Sequence, residues 1–356
     1  MDMKKYFLAQ YAAHPSYTAQ DMIKQSYQAA FGAEHLISDA GKIRAYLEEE
    51  AKTAGCDSSL PLYEYISPDT ARVNLAPWSA AGFPLDWLLA LFVGGAQEAA
   101  QGDRKLKEDA FYRAADDARE LTDEGKLPVT RREFDSLFSS LFADGLHAVH
   151  HSEIYRETEK PAYRVVSGRY ARLLPLFAPL AKLMKEKKPC VLAIDGRAAS
   201  GKSTVAALLA SVTGASLVHM DDFFLPPALR TQERLSEAGG NVDYERFSRE
   251  VLPVLRKNEK FSYQRFECGE VMALGGFVEV EKSDIIIVEG SYSLHPYFGP
   301  YADLKVFSDI NSETQMARIL ARNGEEMAEM FRTRWIPMEE KYFSAFSVKE
   351  NADIIL

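Results

Sequence analysis

Residues 196–204 carry glycines, a lysine and hydroxyl side chains at a spacing that suits phosphate binding. They read Gly196-Arg-Ala-Ala-Ser-Gly-Lys-Ser-Thr204. Glycines let the backbone curl so that successive N–H groups point at phosphate oxygens. Lys202 would reach the β- and γ-phosphates of a nucleoside triphosphate, and the Ser203 hydroxyl would bind its Mg²⁺ ion. The pattern predicts a phosphate-binding loop (P-loop) for ATP or GTP, with contacts from Gly196, Ala198, Ala199, Ser200, Gly201, Lys202, Ser203 and Thr204.

The flanks of this motif support the interpretation. Residues 191–194 form an apolar run typical of a buried strand, and residues 203–209 have the composition of a helix. A strand that enters the loop and a helix that leaves it form the context in which the motif binds phosphate, whereas a chance match lacks these flanks. The N-terminus of the helix adds positive partial charge.

Composition limits the classes of function. The chain has 356 residues, a formal net charge of −10 and three cysteines, Cys56, Cys190 and Cys268. The length predicts two domains, and the widely spaced cysteines are typical of reduced thiols. An acidic chain offers no basic stripe for nucleic acid, and its longest apolar stretch is too short to cross a bilayer. We therefore expect a cytoplasmic protein without nucleic-acid or membrane partners. The composition is compatible with a homo-oligomer.

The distribution of apolar residues changes at Cys190. Before that point, spacings of three and four residues predict helices over 22–31, 43–54, 87–101, 106–121, 132–142 and 170–185, with one short irregular or strand-like piece between 60 and 73. After it, strands are predicted at 191–194, 216–220, 285–288, 304–307 and 353–356. Such alternation with helices is typical of a parallel sheet. The predicted fold class is α/β: a mainly helical N-terminal domain (1–182) and a P-loop domain whose parallel sheet is flanked by helices (183–356).

Acidic residues follow two of the predicted strands. Ligands gather at the carboxyl ends of parallel strands. Asp221 ends the second strand, where a carboxylate can accept the proton of an acceptor hydroxyl; the alternative is a turn residue or a helix N-cap. Asp222 either contributes its negative charge near the metal ion or caps the turn at Phe223 and Phe224. Glu289 follows the third strand and is predicted to lie near the metal-bound water, with an ordinary loop acid as the alternative.

Phosphoryl transfer also needs positive charge over the phosphates. Arg318 and Arg322 share one face of a predicted helix that begins at residue 312, and Arg332 and Arg334 follow in the next segment. The guanidinium fork suits phosphate oxygens. Arg318 and Arg322 are therefore predicted to be catalytic and Arg334 to bind substrate; a solvated charged surface is the alternative for each.

In these motifs and their order, residues 190–356 resemble the uridine kinase group of P-loop kinases, whose relatives include phosphoribulokinase and bacterial pantothenate kinase. Met220-Asp-Asp-Phe-Phe224 is similar to the family's strand-end aspartate and aromatic pair, which implies that Asp221 is the base. The resemblance also implies that Glu289 is the strand-end glutamate of the family.

Two further matches concern the lid and the acceptor. Arg318 and Arg322 match the lid arginines of the family. Asn241-Val-Asp-Tyr-Glu-Arg-Phe247 resembles the segment whose aspartate holds the ribose hydroxyls of the acceptor, which implies that role for Asp243. A helix N-cap is the alternative for Asp243.

One segment departs from the family pattern. In uridine kinases a Tyr-Asp-Phe segment leads into a His-x-Arg that touches the pyrimidine. Tyr263 matches, which implies a substrate contact, but Cys268 and Glu270 stand where the histidine and the arginine would be. The resemblance therefore implies a kinase and leaves the acceptor open.

The first half contains two polar groupings of unknown role. One lies on a single helical face: Asp21, Lys24 and Gln28, with His35 beyond. The other is a histidine-rich run: His147, His150, His151 and Glu153. The spacing of His147 and His151 would allow metal ligation from one helical face. The alternative is a polar packing or interdomain surface.

These observations predict an enzyme that transfers the γ-phosphoryl group of ATP or GTP, with Mg²⁺, to a hydroxyl of a small molecule. A nucleoside is the expected acceptor, and a sugar or a pantothenate-like alcohol is the alternative. A nucleotide-gated regulatory protein, with output from the helical half, and an NTPase acting on nucleic acid are competing hypotheses.

Overall fold

The computed structural model describes residues 2–36, 40–267 and 273–356. The chain divides into two compact units, Met1–Leu174 and Pro175–Leu356. A mainly helical first unit and a parallel sheet in the second confirm the predicted α/β class. The boundary expected between residues 182 and 183 falls inside the helix Leu174–Glu186 and stays a prediction.

The first unit is built mostly of helices, at the places where the apolar spacing predicts them and at a few others. They are α1 (Lys4–Ala13), α2 (Ala19–Phe31), α3 (Ala40–Ala54), α4 (Leu75–Ala80), α5 (Leu85–Gln101), α6 (Arg104–Asp123), α7 (Arg131–Leu141), α8 (Glu153–Glu159) and α9 (Gly168–Ala171).

Helix α2 shows how local sequence and packing agree in this unit. Thr18 and Asp21 form a capping box. The Thr18 side chain accepts from the backbone N–H of Asp21, and the Asp21 side chain accepts from the backbone N–H of Thr18. Met22 and Ile23 on α2 are fully buried, in the same cluster as Phe111 of α6 and Phe134 of α7. The apolar face of α2 is therefore fixed against the core, and its polar side chains must find partners within the protein.

A three-stranded antiparallel sheet completes the first unit. Its strands are β1 (Tyr63–Ser67), β2 (Thr70–Asn74) and β3 (Tyr163–Ser167), in the order β1-β2-β3. The sequence predicted only one strand-like piece, at 60–73. The structure divides that piece into a hairpin, and β2 also pairs with β3, with Thr70 opposite Ser167.

The second unit contains a five-stranded parallel sheet in the order β10-β9-β4-β8-β5. All five predicted strands are present, as β4 (Cys190–Gly196), β5 (Ser216–His219), β8 (Ile285–Glu289), β9 (Leu304–Ser308) and β10 (Ile354–Ile355). An antiparallel hairpin, β6 (Phe261–Glu267) and β7 (Ala273–Val280), forms a separate sheet. The helices are α10 (Leu174–Glu186), α11 (Lys202–Thr213), α12 (Gln232–Ser236), α13 (Tyr244–Glu250), α14 (Ser312–Met330) and α15 (Ile336–Phe346).

The strand order brings the chemical residues together. Strand β8 lies between β4 and β5, and Glu289 at its end is in register with Ile194 on one side and His219 on the other. Parallel strands end at one edge of a sheet. The P-loop, the turn after His219 and the segment after Glu289 therefore meet at that edge.

Two further observations concern the chain as a whole. Within the described residues, no helix is long and apolar enough to cross a membrane. Cys56 is an exposed free thiol and Cys190 a buried one, whereas Cys268 and Glu270 lie outside the described residues.

Candidate functional site

The loop between β4 and α11 has the curled backbone of a phosphate cradle. Gly196, Ala199 and Gly201 have φ values of 138°, 57° and 101°. Positive φ values turn successive backbone N–H groups toward one concave face, and such a face binds anions. Ala199 is not a glycine, and an alanine in this region carries strain of a kind that clusters at ligand-binding sites. Helix α11 begins at Lys202 and presents its N-terminus to the same loop.

Gly196 is required for a second reason, which is the close approach of a neighbouring strand. A Cβ atom at this position would lie 2.1 Å from the carbonyl oxygen of Ser308 at the end of β9. Any side chain at residue 196 would therefore push β4 and β9 apart at the point where the loop begins.

Lys202 folds back over its own loop. Its ammonium donates to the carbonyl oxygens of Gly196, at 2.9 Å, and Arg197, at 2.8 Å. The side chain is buried. A cation held at the concave face by two carbonyls can exchange these acceptors for phosphate oxygens, which bind an ammonium more strongly.

Ser203 and Glu289 form an oxygen-rich pair at the start of α11. The Ser203 hydroxyl donates to Glu289 Oε2 at 3.0 Å, and His219 Nδ1 lies 2.6 Å from Glu289 Oε1. This hydrogen bond raises the pKa of His219 above its ordinary value. A hydroxyl and a carboxylate are ligands that Mg²⁺ prefers, so the donor chemistry of the pair fits that ion.

Asp221 lies in the short helical turn after β5. A Cβ atom on Gly290 would come within 3.4 Å of Asp221 Oδ1, which places this carboxylate beside the end of β8. The residue is exposed to solvent. The pKa of Asp221 is raised, because surrounding protein displaces water and Glu289 adds negative charge, while the nearby Lys202 ammonium opposes the shift.

Asp222 and Tyr263 interact with each other. The Tyr263 hydroxyl donates to Asp222 Oδ2 at 2.8 Å and accepts from the backbone N–H of His219 at 3.3 Å. Tyr263 is 1 % exposed. These two residues therefore fasten the hairpin to the turn that carries Asp221, and a contact of Tyr263 with substrate stays a prediction.

Asp243 is the N-cap of α13, the alternative role that its sequence context allowed. Its carboxylate accepts from the backbone N–H of Arg246 at 3.0 Å. Asp243 and Arg246 also line a cavity of about 580 Å³, with Leu225, Arg234 and other residues. The predicted contact of Asp243 with an acceptor stays a prediction.

The predicted arginines lie in different environments. Arg318 reaches the P-loop, where it donates to the carbonyl oxygen of Ala199 at 3.1 Å. Arg322 is exposed and donates to its neighbour Asn323. Gly324, with φ 77° and ψ 175°, kinks α14 just beyond them. Arg334 stacks over the Trp335 ring at 4.8 Å, in a π-helical turn (Phe331–Trp335) that leads into α15.

Three residues of this site were not found from the sequence. His219 stands two residues before Asp221, and its position at a strand end was the only available signal. Arg197 makes a bidentate ion pair with Glu340, at 2.7 and 2.9 Å, beside a cavity of about 640 Å³ that it lines. Glu339 accepts from the loop N–H of Ala198 at 2.9 Å. Contacts that join such distant segments leave no local pattern.

Some residues of the two polar groupings belong to a buried network in the first unit. His151 lies with Nδ1 2.6 Å from Asp21 Oδ1 and Nε2 2.6 Å from the Tyr163 hydroxyl. Gln28 donates to Tyr163 and accepts from Arg72. Lys24 donates to the Val149 carbonyl, and burial and the charge of Arg72 lower the pKa of Lys24 to about 8.

The histidine run does not converge on one point. His147 hydrogen-bonds to the carbonyl oxygens of Leu141 and Ala148, whereas His151 points into the network. Among the described residues, no three His, Cys, Asp or Glu side chains come together as a metal site. The contacts of His151 and Asp21 are those expected from the alternative given above, a polar packing role.

Comparison with known proteins gives likenesses of fold. No protein-family model matches the chain. A possible uridine kinase from Bacillus stearothermophilus is 22% identical over 51% of this chain and 99% of its own, with a TM-score of 0.38. A candidate fructose transport system kinase from Silicibacter sp. TM1040 is 22% identical over 50% and 98%, with a TM-score of 0.39. TT1252 from Thermus thermophilus is 22% identical over 48% and 88%, with a TM-score of 0.26. Likeness at this level identifies no substrate.

Proposed function

We propose that the second unit is a kinase that transfers the γ-phosphoryl group of ATP or GTP to a hydroxyl of a small molecule. The observation that carries the proposal is the convergence of the curled P-loop, the Ser203–Glu289 pair and Asp221 at one edge of the sheet. P-loops also serve NTP hydrolysis. Transfer to an alcohol is favoured by Asp221, a carboxylate beside the end of β8 whose pKa is raised and which interacts with the charges of Lys202 and Glu289.

Different residues around the loop would bind the metal ion and the phosphates. Ser203 and Glu289 would hold Mg²⁺, which when bound neutralises negative charge on the phosphates. The Lys202 ammonium would leave the carbonyls of Gly196 and Arg197 for phosphate oxygens. Arg318, which already lies over the loop, would stabilise the charge on the group in transfer.

Asp221 would act as the general base. Its raised pKa makes it a stronger proton acceptor than an ordinary aspartate, which suits it to take the proton of the attacking hydroxyl. The O–P bond to the acceptor forms as the bond between the γ-phosphorus and the leaving oxygen breaks, and the proton remains on Asp221.

The acceptor that we propose is a nucleoside. The proposal is supported by the order of motifs from the P-loop to Arg318 and Arg322, with Asp243, Tyr263 and Arg334 as contacts. One observation favours a second candidate, a non-nucleoside alcohol such as a sugar. The polar atoms of Asp243 and Tyr263 are engaged inside the protein, by the α13 N-terminus and by Asp222.

The test is ADP or GDP formation by the purified full chain with Mg²⁺ across a panel of nucleosides, sugars and other alcohols. At least one acceptor should raise turnover well above background hydrolysis. Asp221→Asn should lower that turnover about a hundredfold or more and leave nucleotide affinity nearly unchanged. Asp284→Asn, which changes a half-exposed acid paired with Lys188, is the matched control and should keep full activity. Hydrolysis that no acceptor stimulates would contradict the proposal.

A further inference from the structure

A buried carboxylate lies directly behind the P-loop. Glu339, on α15, is 6 % exposed. Its Oε2 accepts from the backbone N–H of Ala198 at 2.9 Å, and its Oε1 accepts from the Ser291 hydroxyl at 2.8 Å. Burial raises the pKa of Glu339, and the nearby Lys202 ammonium opposes that shift. Burying a carboxylate costs free energy unless hydrogen bonds or an opposite charge compensate for the lost water.

These two hydrogen bonds join the two halves of the site. Ala198 belongs to the loop that would hold the phosphates. Ser291 stands two residues after Glu289, in the segment that leaves β8. Glu339 therefore bridges the phosphate side and the metal side of the site with one carboxylate.

The segment after β8 has a backbone that needs such support. Gly290 has a φ of 133° and Tyr292 a φ of 74°. Positive φ at a tyrosine is strained and persists only where the surroundings fix it. Asp195 fixes one side, since it accepts from the backbone N–H groups of Gly196 and Tyr292 at 2.7 and 3.0 Å. Glu339 fixes the other side through Ser291.

The remaining backbone polar group of Ala198 is also bound by a distant side chain. Its carbonyl oxygen accepts from Gln315 of α14 at 3.1 Å. With the N–H given to Glu339, this peptide segment is held from behind on both sides. Its orientation sets how the following residues, Ala199 to Gly201, enter the curl.

Resting on the proposed function, we propose that Glu339 is a positioning residue for nucleotide binding. It fixes the curl of the P-loop relative to Glu289 without touching the phosphates. The carboxylate is buried and already holds two donors, so its place is behind the loop and not among the phosphate contacts. Its removal would leave the Ala198 N–H without its acceptor and the Ser291 hydroxyl with only the carbonyl oxygen of Gly196.

The experiment measures the dissociation constant of Mg-ATP and of Mg-GTP for the full-length chain by calorimetry. For the nucleotide that the wild type binds more tightly, Glu339→Ala should raise the dissociation constant about tenfold to a hundredfold. Glu339→Gln keeps an oxygen that accepts from Ala198, and Ser291 can turn its proton to the Gly196 carbonyl at 3.2 Å. This variant should therefore bind within about threefold of wild type.

Three controls separate positioning from general damage. Glu350→Ala removes an exposed acid in the turn after α15 and should leave the affinity unchanged. Ser291→Ala removes only one of the two bonds and should give an intermediate loss. Thermal unfolding of each variant, in the absence of nucleotide, shows whether the affinity falls in a chain that is still folded. Should Glu339→Ala fail to fold, Ser291→Ala and Glu339→Gln still decide the matter.

The outcomes have distinct meanings. A loss in Glu339→Ala that Glu339→Gln restores supports the inference. Wild-type affinity in both Glu339→Ala and Ser291→Ala overturns it, and so does tighter binding, because Glu339 would then compete with phosphate. A wild-type chain that binds neither nucleotide overturns the proposed function and this inference together.

Discussion

The two units each contain a histidine whose Nδ1 lies 2.6 Å from a buried carboxylate, and the two pairs behave in opposite ways. In the first unit, burial and the charges of Arg72 and Lys24 lower the pKa of His151 to about 4, against the pull of Asp21. In the second unit, the hydrogen bond to Glu289 raises the pKa of His219.

The difference comes from exposure and from neighbouring charge. The side chain of His151 is 6% exposed, whereas that of His219 is 43% exposed. Cations surround the first pair, and Asp221 and Asp222 lie near the second. An identical contact therefore supports a neutral, structural histidine in one place and a more basic histidine at a candidate site in the other.

The largest expected effect comes from breaking the first pair. Asp21 accepts hydrogen bonds from Thr18, His151 and Ser152, and its side chain is fully buried. Burial alone would raise the pKa of Asp21, but these bonds outweigh it and lower the pKa to about 2. Asp21→Asn should lower the free energy of unfolding by about 3 kcal/mol. Urea unfolding followed by tryptophan fluorescence measures it.

Nucleotide affinity serves as the second readout for that variant. Because all these partners of Asp21 lie in the first unit, binding of Mg-ATP should not change in the folded variant. Asp116→Asn, an exposed acid on α6 paired with Arg119, is the control and should unfold like wild type. A loss of nucleotide affinity without a loss of stability would show that the first pair is not structural.

Breaking the second pair should have the opposite signature. Glu289→Gln keeps the size of the side chain and removes the charge shared by Ser203 and His219. Turnover with the best acceptor should fall about a hundredfold, while the free energy of unfolding changes by less than about 1 kcal/mol. Glu279→Gln, on the exposed hairpin and paired with Lys260, is the matched variant and should keep full turnover. Equal turnover in the two variants would show that Glu289 has no role in the reaction.

The smallest effect is a dependence of stability on pH. Because the pKa of His151 is about 4 in the folded state and its ordinary value is 6.5, the unfolded chain binds more protons between these values. Stability from this group is complete above pH 6.5 and falls as the pH drops. Between pH 7 and pH 5 the contribution of His151 to the free energy of unfolding should fall by about 1–2 kcal/mol.

Comparison with His151→Gln isolates this effect from other titrating groups. His14 acts in the opposite direction. Burial would lower its pKa, but its hydrogen bonds to the Glu64 and Glu159 carboxylates outweigh burial and raise the pKa, so its contribution grows as the pH falls. The variant retains His14, so the difference between the two profiles reports His151, and the wild type should lose about 1–2 kcal/mol more than the variant over this range. Parallel profiles for wild type and His151→Gln would contradict the assignment of a neutral, buried His151.

Much of the second unit was predictable because its signals are local. The apolar run before Gly196, the glycine spacing and the acids after two strands all lie within short windows, and the strand order then brought them together. In the first unit only one strand-like piece was predicted, and the three-stranded sheet was not, since β2 is only five residues long and its second partner, β3, lies far along the chain. Asp243 could be given two roles from sequence, and only the position of the Arg246 N–H showed the N-cap.

The P-loop backbone is held by side chains from the last two helices: Gln315 and Arg318 on α14 and Glu339 on α15. During synthesis, residues 196–204 leave the ribosome well before any of these three. The nascent chain can therefore contain the whole nucleotide motif and still lack the conformation that binds. Competence would arrive late in translation, once α15 has emerged and docked behind the loop.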